Sequence, residues 1–264
     1  MGKKMKNAPV YFTVAQVRFN PILNMESYLP AIQERMRVTH LSDFKRETIQ
    51  QLILQFGSSN DKSQAPTPSF VPQARCVFGN INRTTEFILE HNALALQTTD
   101  YDTSDSFFKI LLDGLGIIND VLQLDFTERI GLRYFDAILP KSGETLSDYL
   151  TLEVLGLSDR LDGKLSHSFS ESLTINTSGK LISRVIIQDG HIGLPPEVMS
   201  LAPQINPKFT EPEGRHAMID TDAFYEKREA FSSETVGAKL IALHDEIRKS
   251  FKATVTQFAL DTWE

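Results

Sequence analysis

Two rhythms of apolar residues alternate along the chain. PVYFTVAQVRF (Pro9 to Phe19) is β-branched and aromatic, and it predicts a strand with apolar residues on both faces. After the break NPILN, residues Tyr28, Ile32 and Met36 recur at helical spacing. They predict a short amphipathic helix capped by Ser27, with Pro30 in its first turn. ETIQQLILQF (Glu47 to Phe56) is a short apolar run ending at Gly57 and predicts a strand. Residues 57–73 are rich in Ser, Pro and Gln and predict a mobile loop. ARCVFG, RTTEFILE and NALALQTT follow in quick succession, as in an antiparallel meander. In SDSFFKILLDGLGIINDVLQL, Phe107, Leu111, Leu115, Ile118 and Leu122 predict a long amphipathic helix with Ser104 or Asp105 near its cap.

FTERIGLRYFDAIL returns to the strand rhythm. Ile130, Leu132, Tyr134 and Ile138 share one face, on which Asp136 alone is polar. Arg129, Gly131, Arg133 and Phe135 share the other face. The second half repeats the order. LSHSFSESLTI and KLISRVIIQ are strands joined by the hairpin signal NTSG. An irregular segment, residues 194–214, carries five of the twelve prolines, and HAMIDTDAFY follows as a strand. The last helix keeps Val236, Leu240, Leu243, Ile247, Phe251 and Val255 on one stripe.

Long helices after antiparallel strands, without steady βαβ alternation, define an α+β protein. The pattern divides into an N-terminal unit (1–140) and a C-terminal unit (141–264), each an antiparallel sheet plus one long helix. A weak internal duplication sharing one core, or fusion into one continuous sheet, follows from that order.

Composition changes this picture little. The chain has 264 residues, 41% hydrophobic and 23% charged, enough to bury a core without staples. The single cysteine, Cys76, lies in apolar ARCVFG; it excludes an intramolecular disulfide and fits a reducing, cytoplasmic setting. The opening MGKKMKNAPVYF lacks the apolar core of a signal peptide, and no apolar run is long enough to span a membrane. A formal net charge of −7 weighs against a nucleic-acid partner.

Catalytic templates are missing. DGLGIIN lacks a third glycine and lies inside a helix pattern, so it does not read as a dinucleotide loop. The histidines are scattered, and His244 reads as part of a solvated helix face, so no metal or other cofactor is expected. Asp220 and Asp222 in DTD share a strand face and form a weak candidate for a cation or a shared proton. Arg129 and Arg133, joined by Arg18 from the first strand, form a candidate site for an anion or an acidic partner, weighed against structural ion pairing. Gly131 between them leaves room for a ligand or another backbone. Ser166, Ser168, Ser170, Ser172 and Thr174 line one face of a strand that lacks the charges usually guarding a sheet edge, and are candidate interface residues.

PVYFTVAQVRF, ERIGLRY and ALHDEIRKSF together resemble a family of uncharacterised bacterial proteins, about this long and sporadically distributed, with no assigned reaction. Arg18, Glu128, Arg129, Gly131, Arg133 and Tyr134 carry the resemblance. The patchy distribution implies mobile, defence- or toxin-linked neighbourhoods. The expectation is a non-catalytic partner-binding or sensor component, with another protein or a second copy of the chain as partner. The alternative is a nucleotide- or phosphate-binding protein or enzyme using the arginines.

Overall fold

The computed structural model describes residues 6–54, 68–157, 160–199, 201 and 203–264. The strands are β1 (Val10–Phe19), β2 (Asp43–Leu54), β3 (Pro68–Gly79), β4 (Thr85–Glu90), β5 (Ala93–Thr98), β6 (Phe126–Ile138), β7 (His167–Asn176), β8 (Gly179–His191) and β9 (Glu213–Ala230). The three long helices are α1 (Met25–Val38), α2 (Ser104–Leu122) and α7 (Ser233–Thr254). Shorter ones are α3 (Leu146–Tyr149), α4 (Leu152–Leu155), α5 (Pro196–Met199), α6 (Pro207–Thr210) and α8 (Gln257–Trp263).

All nine strands join one antiparallel sheet in the order β2-β3-β4-β5-β1-β6-β9-β8-β7. The protein is therefore α+β. Of the two arrangements the order allowed, the sheet is continuous: β6 pairs with β9 directly across the expected boundary at residue 140. The first strand lies at the centre, antiparallel to both β5 and β6.

The sheet faces differ. Ala15, Val17, Phe19, Ile130 and Leu132 form one core with α1, α2 and α7. Val185, Ile187, Ala217 and Ile219 form a second with Tyr149, Leu155, Val255 and Trp263. The opposite face is covered in part by the proline-rich segment, through residues 192–199, 201 and 203–211. Val198 and Phe209 from that segment pack on Phe12, Phe135 and Met218. The Tyr11 hydroxyl fastens it by donating to the Gly193 carbonyl at 2.6 Å. Register slips between Val10 and Phe12 in β1, so neighbouring Tyr11 and Phe12 both join this second-face cluster.

Several expectations need correction. The loop expected at 57–73 ends earlier, because β3 runs from Pro68 and pairs with β2 over its whole length; residues 57–67 lie outside the described residues. Asn24, not Ser27, occupies the cap of α1, and Thr103 caps α2, its side chain accepting from the Ser106 N–H. Gly114 in α2 has a packing role: a Cβ there would stand 2.3 Å from the Phe87 ring, so the helix approaches the sheet only without one. Among the described residues no helix is long and apolar enough to cross a membrane.

Candidate functional site

The three arginines expected to act together do not share one environment. All lie on the sheet face away from the long helices, where Arg18 and Arg129 stand directly opposite each other. Arg18 is exposed and makes no ion pair among the described residues. Arg129 folds back over its own strand. Its guanidinium lies 4.7 Å from the Phe224 ring centre, and its Nη1 is 3.4 Å from Gln16 Oε1. A Cβ on Gly131 would come within 2.6 Å of that Nη1. The gap left by Gly131 is therefore occupied by Arg129 itself.

Arg133 is committed elsewhere. It donates to both carboxylate oxygens of Asp220, at 2.7 and 2.6 Å, and to Glu197 on α5 at 2.9 Å. Arg184 donates to the same Asp220 at 3.1 Å and to Glu171 on β7 at 2.5 Å. Burial pulls the Arg133 pKa down, but the hydrogen bonds and charge of Asp220 outweigh it and hold the pKa above the usual value. This network ties β6, β9, β8, β7 and the overlying segment together.

Asp220 and Asp222 do share a face, yet Asp220 is 0% exposed and saturated by two guanidiniums. Asp222 is half-buried and accepts no hydrogen bond among the described residues. Burial raises its pKa, opposed by Arg129 and Arg133. Among the described residues no group of three His, Cys, Asp or Glu side chains is placed to hold a metal. Ser168, Ser170, Ser172 and Thr174 lie on the helix side of β7, one of the two edge strands, and Ser166 directly precedes it.

A site that the sequence reading passed over lies on the helix face. A cavity of about 590 Å3 opens between the start of β1, the end of β6, the first turn of α2 and the middle of α7. Tyr134 and Asp136 reach it from β6, two residues apart and so on the same face. Tyr101 and Phe108 bound it from the α2 side, and His244, Ile247 and Phe251 from α7.

Asp136 is only 8% exposed and accepts no hydrogen bond among the described residues. Burial pushes its carboxyl up to about 7. The Tyr134 and Tyr101 hydroxyls meet at 3.0 Å. Burial pushes Tyr101 up to about 12 and Tyr134 well above the normal range.

His244 is half-buried, its ring edge-on to Phe108 at 5.9 Å and 5.8 Å from Tyr134. The solvated helix face expected there is corrected accordingly. Its Nδ1 is buried without a partner among the described residues, and burial lowers its pKa, favouring the neutral ring. Among the described residues, Asp105, Asp136 and Asp245 bring carboxylates to the space and Arg248 a guanidinium, which pairs with Asp245 at 3.2 Å.

Asp136 did leave a signal in the sequence, as the one carboxylate in phase with Ile130, Leu132, Tyr134 and Ile138. His244 left a weaker one, beside Leu243 and one turn from Leu240 and Ile247, at the margin of the apolar stripe of α7. No known family model matches the chain, and no curated protein matches it.

Proposed function

We propose that this chain is a non-catalytic binding or sensor component whose ligand is a small organic ammonium compound seated between α2 and α7. Asp136 carries the reading. A carboxylate drawn mostly out of water gains from a cation or hydrogen-bond donors, and among the described residues none reaches Asp136. A ligand nitrogen supplies both charge and donors. The acidic lining favours a cation, and the rings of Tyr101, Phe108, Tyr134 and Phe251 give its apolar part a surface to rest on. The volume fits a metabolite-sized molecule.

Binding is favoured over turnover by the two tyrosines and the histidine. The tyrosine hydroxyls are held too weakly acidic to exchange protons near neutrality. Among the described residues His244 has no partner at Nδ1 to orient it as a base. The alternative of a phosphate or nucleotide site retains one favourable observation, the exposed Arg18 set opposite Arg129, whose charge Glu226 offsets only from 3.8 Å.

Phenethylamine, phenethyl alcohol and phenylacetate share a shape and differ in charge, so thermal denaturation with each tests the reading. The amine alone is expected to raise Tm, and Asp136→Asn to abolish the effect. Stabilisation by phenylacetate instead, or equal responses of Asp136→Asn and the parent protein, would contradict it. At ten times Kd the expected stabilisation is about 1.4 kcal/mol.

A further inference from the structure

The sheet ends on β7, and that edge is unguarded. Along its ten residues, His167–Asn176, there is no lysine, arginine or proline, and the only carboxylate, Glu171, is paired with Arg184. Phe169, Leu173 and Ile175 project from one face, 57%, 57% and 71% exposed. Ile186 and Ile182 of β8 stand directly beside Phe169 and Leu173, so the apolar surface continues inward across the sheet. The edge is also held in shape: Asn176 at the hairpin end donates to Glu246 of α7 at 2.9 Å. Natural edges of this length are normally blunted by charge, proline or a bulge; a bare one is a pairing surface.

We propose that the occupant is a second copy of this chain, joined edge to edge through antiparallel β7 strands about a two-fold axis at Ser172. The register follows from two constraints. The two-residue turn makes Asn176 and Gly179 a hydrogen-bonded pair, so alternate residues back along β7 point their N–H and C=O at β8. Those left facing outward are Ile175, Leu173, Glu171, Phe169 and His167. Outward residues must meet outward residues, which requires the axis to pass through a residue position.

Side chains then choose among positions. An axis at Glu171 sets two carboxylates face to face, and one at Ser170 leaves Ile175 without a partner strand. An axis at Leu173 puts Phe169 against Thr177 beyond the partner strand's end. An axis at Ser172 sets Phe169 against Ile175 and Leu173 against Glu171, pairs Ser170 with Thr174 on the other face, and forms about eight inter-strand hydrogen bonds. The interface is isologous, as a closed dimer requires.

The full chain carrying Ser172→Cys tests both association and register. Cys76 is buried and does not compete. Facing Ser172 positions form a non-hydrogen-bonded pair, with Cα atoms about 4.5 Å apart, within disulfide range. Mild oxidation is expected to convert most of the protein to a covalent dimer on non-reducing gels, while Glu171→Cys stays monomeric. Sedimentation velocity of the parent chain at 100 μM is expected to give twice the monomer mass. Leu173→Pro removes an outward N–H without touching the β8 ladder, and Ile175→Lys adds charge at the most exposed of the three apolar positions; each is expected to yield monomer with Tm nearly unchanged. A monomeric parent chain at 100 μM overturns the proposal. So does efficient crosslinking of Glu171→Cys in place of Ser172→Cys, or a dimer that survives both Leu173→Pro and Ile175→Lys.

Discussion

Asp220 and Asp136 are carboxylates buried on opposite faces of one sheet, and they are treated in opposite ways. Asp220, wholly buried, is held by Arg133 and Arg184, whose other donors run on to Glu197 and Glu171. Asp136, almost as buried, faces a cavity and has no cation of its own among the described residues. The first arrangement is complete within the chain and fastens strands together. The second is incomplete, and an incomplete buried charge is where a ligand adds most.

Breaking the completed side should cost most. Asp220→Ala strands two guanidiniums and is expected to lower stability by about 3–5 kcal/mol in urea denaturation. A loss below about 1 kcal/mol would mean that Glu197 and Glu171 suffice, and would dissolve the contrast.

Asp136→Asn should act in the opposite direction, and only at higher pH. In the parent protein the folded carboxyl is pushed up to about 7, against an ordinary value of 3.8. Between those values the folded state holds the extra proton, so stability falls as pH rises through the window and stays lower above it. The neutral amide carries no such loss. Variant minus parent is therefore expected near zero at pH 4 and about 4 kcal/mol stabilising at pH 8. The difference isolates Asp136, because the contribution of His244, whose folded pKa is lowered, is common to both proteins. A variant equally destabilised at both pH values would contradict this.

Smaller effects separate the arginines. Gly131→Ala crowds the end of the Arg129 side chain, which can swing aside, so about 1 kcal/mol is expected. Arg18→Ala removes an exposed cation facing another and should change Tm by less than the equivalent of about 0.5 kcal/mol. An Arg18→Ala loss as large as that of Asp220→Ala would place Arg18 in the structural network.

Element types were legible because each carries a local rhythm. Period two runs through β6, a β-branched and aromatic run marks β1, and the stripe from Val236 to Ile247 runs through α7. Cap positions slipped by one to three residues, since Asn24 and Thr103 compete with nearby Ser27 and Ser104. The fusion of nine strands was only one of two options, because pairing of β1 with β6, across more than a hundred residues, leaves no local mark.

Chemistry was harder to read. Spacing put Arg129 and Arg133 on one face but did not show that Asp220 would claim one and Gly131 make room for the other. The cavity joins four segments distant in sequence. Asp136, out of place among apolar neighbours, pointed to it most clearly in advance, and His244 more faintly.

The measurement closest to this reading is the titration of the Asp136 carboxyl by carbon NMR, with Asp136→Asn assigning the resonance, in the presence and absence of phenethylamine. Free protein should show a midpoint of about 7, moving to lower pH when the amine binds. A midpoint below 4.5 in the free protein, or one that stays fixed while the amine saturates the protein, would contradict the account.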